Sequence, residues 1–421
     1  MESLLHYAWK YKLYNPNNFL IDENTECEII DHGLHNTDAG PDFFNAKVRI
    51  KDKIWAGNIE LHTRSSDWYK HKHDKNQSYN SVVLHVAEII DVPEIFDSTG
   101  RSIPQWKIEV SEKMKENYQY LLSNDREIPC VERIQEINSV YLFDWISALL
   151  TERLERKVRA IFQLLERYNN DWNEVFYVTL SRNFGFGINN DSFERLALSL
   201  PLRIIAKHSD SIIQVEALFL GQAGLFESEL IEDDYYFRLQ KEYDFLRNKY
   251  NLQPLDNHLF RNLRVRPNNF PHIKIVQLAN LIRKTQHLFS NIISAHGADE
   301  YILLFQDEVS EYWQIHSQFG QACKKRERKL SLSSIRIILI NTVVPILYAY
   351  GKKNNDSRYS EQAIRLLESL PPESNFIITL FSRMGIVCEN AGDSQALIQL
   401  KREYCENKKC IYCRIGFRLL K

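Results

Sequence analysis

The sequence predicts an α+β protein, with a mixed α/β domain over residues 1–131, a mainly helical domain over 132–387 and a cysteine-rich basic tail over 388–421. Three observations predict it. The first 130 residues carry short runs rich in Val, Ile and aromatics, separated by turn signals. From about Glu132 the apolar period changes to 3.6. The 421 residues are 44% hydrophobic and 26% charged, which supplies a sizeable core and excludes disorder, collagen or a small disulfide scaffold.

A helix opens the chain, because Leu4, Leu5, Ala8 and Trp9 recur one turn apart behind Glu2-Ser3. Strands are expected at 27–31, 43–50, 54–62, 81–90 and 105–110, bounded by turns such as Asp38-Ala39-Gly40-Pro41-Asp42, Lys51-Asp52-Lys53 and Ser98-Thr99-Gly100. Between the third and fourth strands, 64–74 reads as one short helix and a loop. Leu142, Trp145, Ile146, Leu149, Leu154, Val158, Ile161 and Leu165 then stripe one long helix. Further helices are expected at 175–180, 193–200, 213–220, 236–250, 273–293, 308–319, 335–350 and 362–370, with the rigid loop 266–271 as one connection. No fixed repeat stands out.

The net charge of −2 provides no global field toward nucleic acid or anionic lipid, so any polyanion site must come from local clustering. The N-terminus has no basic segment before an apolar core, and the apolar stretch 335–350 is broken by Arg336, Asn341 and Pro345. Seven cysteines, an odd number, do not read as a disulfide framework. The expectation is a soluble cytoplasmic protein with no membrane partner. Oligomeric state is left open.

The sharpest chemical signal lies in Pro41-Asp42 and Glu60-Leu61-His62. Pairing the two runs as a hairpin brings Asp42, at the start of one strand, beside Glu60 near the end of the other. Glu60 and His62 share one face by the period of two. Two carboxylates there suit a hard divalent cation such as Mg²⁺ or Mn²⁺, able to bridge a phosphate and an attacking water. The plain structural alternative is that Asp42 caps a turn and Glu60 and His62 form a solvent-facing pair on an edge strand.

This pattern resembles the core of the PD-(D/E)XK nucleases, in which a Pro-Asp is followed across a hairpin by an acid-x-Lys, often with an acid on the preceding helix. The resemblance implies a restriction-endonuclease-like core, metal ligation by Asp42 and Glu60, and Glu2 as the helical acid. His62 stands where that family usually has lysine. A neutral imidazole can hold a metal or take a proton but lacks the permanent charge for phosphate, which Lys47, Arg64 or Lys70 would then supply.

His62, His71, His73 and His85 crowd a short stretch of a chain that has 13 histidines in all. His71 and His73 are expected on an exposed loop and His85 in the core; convergence of the four around Glu60 would instead suit Zn²⁺. A second signal is Cys405-x4-Cys410-x2-Cys413, to which Cys388 could add a fourth thiolate for Zn²⁺ or a [4Fe–4S] cluster. Cys27, Cys130 and Cys323 read as buried apolar residues. Lys408 and Lys409 in the basic tail, and the run 324–329, are candidate phosphate contacts or solvated helix faces. The glycines of Asn183-Phe184-Gly185-Phe186-Gly187 and Gly221-Gln222-Ala223-Gly224 follow no strand and read as helix ends and close helix contacts.

Over nearly its full length the chain also resembles a bacterial domain family of unknown function. The segments that carry the likeness are 38–46, 55–62, Arg64-Ser65-Ser66-Asp67-Trp68, Asn183-Phe184-Gly185-Phe186 and the tail 405–416. This family implies no activity. The functional expectation is therefore a metal-dependent phosphodiesterase acting on nucleic acid. The alternatives are a non-catalytic nucleic-acid-binding or scaffold protein with a structural metal in the tail, and a zinc hydrolase of a small substrate.

Overall fold

A computed structural model describes the chain except residues 16–19, 23–24, 227–230, 232, 264, 266–268 and 285–286, and the side chains of 20–22. The fold is α+β. Arg266, Pro267 and Asn268 of the expected rigid loop lie outside the described residues. The chain divides into two compact units, one of residues 1–145 with 400–421 and one of 146–399, so the end of the cysteine tail is part of the first unit.

The first unit opens with α1 (Glu2–Lys10), which buries Leu4, Leu5, Tyr7, Ala8 and Trp9. Its acidic first turn and basic last turn complement the helix dipole. The strands are β1 (Leu20–Asp22), β2 (Thr25–Asp31), β3 (Leu34–His35), β4 (Phe43–Ile50), β5 (Lys53–Arg64), β6 (Val82–Ile89), β7 (Ile95–Phe96), β8 (Ser102–Ile103) and β9 (Gln105–Lys107). The main sheet runs β1-β2-β4-β5-β6-β9, with β3 also on β4, while β7 and β8 form a separate hairpin. β4 and β5 pair antiparallel; β5, β6 and β9 are parallel. The β5-to-β6 crossover contains α2 (Asp67–Lys70) and two 3₁₀ turns.

β5 is thus central, and its stretch Ile59-Glu60-Leu61-His62 is buried on both faces. The edge-strand alternative fails on this point. Gly57 permits the close β5–β6 approach, since a Cβ there would stand 2.4 Å from Val83 Cγ1 and 2.5 Å from Ser81 O. α3 (Glu112–Ser123) was not expected from the sequence; Ser111 caps it by accepting from the Met114 N–H.

The second unit is helical. α4 (Ser139–Arg167) carries the predicted stripe, and Leu154, Val158, Ile161 and Leu165 join α5 (Trp172–Phe184) and later helices in one core. Gly221 lies against the Tyr243 ring, where a Cβ would come within 2.1 Å, as expected of a close helix contact. The helix expected at 308–319 is replaced by a short one, Glu311–Ile315, and a strand pair, His316–Gln318 with Gln321–Ala322, because Gly320 turns the chain at φ 68°. The apolar stretch 335–350 lies within a continuous helical run, Leu332–Asn354, interrupted by a π-turn at Leu339–Val343. Contrary to expectation, this run is long and apolar enough to cross a membrane; 67% of its apolar window is buried in the unit, as in a core helix.

Candidate functional site

The β4–β5 register slips between Phe43 and Ala46, where Asn45 adopts a left-handed φ of 55° and its N–H donates to Asn58 Oδ1 at 3.2 Å. Beyond the slip the two predicted acids meet. The Asp42 N–H donates to Glu60 Oε2 at 3.0 Å, and the Leu61 N–H donates to Asp42 Oδ2 at 2.8 Å. Each carboxylate is thereby fixed to the other's strand. Glu2 reaches the same place from α1, with Oε1 4.0 Å from His62 Nε2.

Imidazoles surround the acids. His62 Nε2 lies 3.6 Å from Glu60 Oε1, and His73 Nε2 lies 3.3 Å from that same oxygen. His6, one turn after Glu2 on α1, places Nε2 3.2 Å from Asp42 Oδ2. His71 Nδ1 is 3.1 Å from His62 Nε2. One nitrogen each from His62, His71 and His73 fall within 4.8 Å of one another. Lys72, left-handed at φ 62°, reverses the chain between His71 and His73. The expectation of two loop histidines on the surface is therefore corrected for His73, which is 6% exposed and stacked on Tyr79 at 3.8 Å; His71 is exposed.

His85 serves both core and site. Its Nε2 is 2.8 Å from His62 Nδ1, and the Gln105 side chain is within pairing reach of the ring. Gln105 Nε2 donates to the carbonyls of Val92 and Pro93, while Gln105 Oε1 and His85 Nδ1 are buried without an aligned hydrogen-bond partner. The His62 Nδ1 to His85 Nε2 hydrogen bond sets the orientation of the His62 ring, the donor depending on the tautomer. His62 Nε2 lies on the side of the acids, 3.1 Å from His71 Nδ1 and 3.6 Å from Glu60 Oε1.

The electrostatics are unusual for a buried site. Burial and the nearby charge of Asp42 push the Glu60 carboxyl well above its ordinary range, against the opposing hydrogen bond from the Asp42 N–H. Burial, reinforced by His85, His73 and His71, holds His62 far below the normal imidazole value. Burial likewise lowers His85, to about 4, and lowers His73. For His6 burial acts downward, but the hydrogen bond and charge of Asp42, with Glu2 and Glu60, outweigh it and raise the group. Among the described residues no Lys or Arg pairs with Glu2, Asp42 or Glu60. Both ring nitrogens of His73 are buried without a hydrogen-bond partner, its Nε2 being near Glu60 but poorly aimed. The nitrogens of His62, His71 and His73 form a donor set that could hold a metal ion, with the carboxylates of Asp42 and Glu60 adjoining it.

The expected phosphate contacts are engaged elsewhere. Arg64 pairs with Asp91 at 3.6 Å, Lys70 with Asp67 at 2.5 Å, and Lys408 with Asp125 at 3.0 Å and the Leu122 carbonyl at 2.7 Å. Lys47 and Lys409 are exposed. Cys405, Cys410 and Cys413 lie in the first unit, whereas Cys388 belongs to the second, beside Asp393. The residue that joins the three tail thiols is Cys130, which had read as apolar core. Sequence reasoning missed His6, Tyr79 and Cys130; only His6 carried a signal, its spacing of four from Glu2.

The model of a protein family described as "Protein of unknown function (DUF2851)" matches residues 2–376. No curated protein and no solved structure matches the chain.

Proposed function

The chain belongs to that family over residues 2–376, and from the buried acid–histidine cluster we propose a divalent-metal-dependent hydrolase acting on phosphodiester bonds, with nucleic acid as its substrate class. The observation that carries the reading is the meeting of Asp42 and Glu60 beside three imidazole nitrogens within 4.8 Å of one another. Like groups buried together repel or stay uncharged unless a cation joins them. The reading is supported by the nearness of Glu2 to His62 and of the Pro41-Asp42 turn to the Glu60-x-His62 strand.

A bound divalent cation supplies Lewis acidity and a water acidic enough to attack at neutral pH. Asp42 and Glu60 would hold it, and the imidazole nitrogens beside them would favour Mn²⁺ or Zn²⁺ over Mg²⁺. His62, fixed through His85, presents a lone pair as ligand or proton acceptor. In this role it replaces the lysine of the resembled pattern without needing a charge. Hydrolysis of single- and double-stranded DNA and RNA with Mn²⁺, Zn²⁺ or Mg²⁺ tests the reading, with Asp42→Ala and Glu60→Ala beside the parent. Equal cleavage by all three proteins overturns it.

A second reading, a hydrolase of small esters or phosphodiesters at the same centre, is favoured by the pairing of Arg64 and Lys70 with Asp91 and Asp67. Those cations are then not available to a polyanion. Turnover of bis(p-nitrophenyl) phosphate without turnover of any polymer selects it.

A further inference from the structure

We propose that Cys130, Cys405, Cys410 and Cys413 hold a [4Fe–4S] cluster in the first unit, at a site separate from the acid–histidine cluster. Local structure sets where the thiols sit. Cys405 ends the π-turn Leu400–Cys405, Cys410 opens the 3₁₀ turn Cys410–Tyr412, and Cys413 caps the helix Arg414–Leu420. The Cys413 N–H donates to the Cys410 carbonyl at 3.2 Å, closing the Cys-x2-Cys turn. Gly416 presses that helix onto the turn, since a Cβ there would stand 1.9 Å from the Cys410 oxygen. Cys130 comes from the turns that follow α3; its carbonyl accepts from the Arg133 N–H at 3.0 Å.

The four thiols lie near one another. Cys405 feels the charge of Cys413, Cys130 and Cys410, and Cys130 feels that of Cys413 and Cys410. All four are free of disulfides; three are buried and Cys405 is half-buried. The surroundings suit thiolate sulfur. The N–H groups of Ile415 and Gly416 and the Trp145 indole are turned toward Cys413, and the Trp145 Nε1 has no other partner. Lys408 acts on Cys410 and Lys401 on Cys405, each offsetting negative charge. N–H···S contacts and nearby charge are the means by which proteins stabilise cluster-bound thiolates.

Separation decides between the two metals. Zinc with bonds of about 2.3 Å would draw four sulfurs to roughly 3.8 Å of one another. Among the described residues, three ligand atoms come within 4.8 Å of one another at His62, His71 and His73, and no three of these thiols do. A cluster several atoms across needs the wider spacing.

The test uses the full chain, expressed with iron and sulfide supplied and purified without oxygen. The expected result is about four iron and four acid-labile sulfide per chain, with the broad visible absorption of an iron–sulfur chromophore. Cys130→Ser should lose the chromophore, while Cys388→Ser and Asp42→Ala keep it; the last separates this site from the hydrolase centre. One zinc per chain without sulfide, or no metal, overturns the proposal. So does a chromophore that survives Cys130→Ser or is lost in Cys388→Ser. Should Cys130→Ser not fold, the parent's iron and sulfide content and the Cys388→Ser result still decide.

Discussion

The two units bury charged groups among different partners. In the helical unit Glu216 is fully buried, and its Oε2 accepts from the Tyr235 hydroxyl at 2.8 Å and the Trp313 indole at 2.7 Å. Lys157 there donates to Asn341 Oδ1 at 3.0 Å and Gln395 Oε1 at 2.9 Å. Each of these donors finds an acceptor, while Glu216 Oε1 stays buried without a hydrogen-bond partner. In the sheet unit, carboxylates and several imidazoles share one buried cluster, with His6 Nε2 3.2 Å from Asp42 Oδ2 and His73 Nε2 3.3 Å from Glu60 Oε1. There burial and the charge of Asp42 raise the Glu60 carboxyl, and both ring nitrogens of His73 are left without a hydrogen-bond partner. Perturbed acids and imidazoles gathered at one place mark a candidate functional site.

The largest effect that sharpens this contrast is on activity. Asp42→Ala or Glu60→Ala should lower hydrolysis by about 10²–10⁴-fold, as loss of a metal ligand or proton acceptor does, and metal-free Glu60→Gln should be no less stable than the parent in thermal unfolding. Next, Glu216→Ala should destabilise the helical unit by about 2–4 kcal/mol, since two buried donors lose their acceptor, and leave Mn²⁺ affinity unchanged. Urea unfolding and a metal titration on the same protein check both halves.

A smaller effect is expected at His85→Phe, which removes the hydrogen bond that orients His62. Metal affinity should fall about 10–100-fold, with KM for substrate little changed. The smallest is a pH effect. Burial holds Lys274 down at about 8, against an ordinary 10.5, beside Gln277 and the Phe186 ring. A lysine lowered on folding costs stability while charged, below its folded value, and the cost fades as pH rises from about 8 toward 10.5. Lys274→Met should raise stability at pH 7 by about 1–2 kcal/mol and flatten the rise between those pH values in unfolding curves.

The sheet was legible where residue pattern and turn chemistry agree. The β4–β5 hairpin follows from strand-forming runs either side of Lys51-Asp52-Lys53, and Asp42, Glu60 and His62 followed from that pairing. α3 escaped because its buried face, Met114, Tyr118 and Leu121, is thin on an otherwise polar helix. The site was half legible. Nothing local says that Lys72 takes a left-handed turn and carries His73 inward. Cys130 was out of reach for a different reason, since it lies far along the chain from the tail and only tertiary packing brings it there. The segment 308–319 misled because its aromatics have helical spacing while Gly320 and the strand pair set the geometry.

The central claim is that the buried acids and imidazoles share one cation. Mn²⁺ binding to the full chain, read from the loss of the free-ion electron paramagnetic resonance signal, tests it most directly, because thiolates are poor ligands for Mn²⁺. The account predicts one such site per chain, weakened about 100-fold or more in Glu60→Ala and His73→Ala and unchanged in Cys130→Ser. No binding, or equal binding by the parent and both site variants, would contradict it.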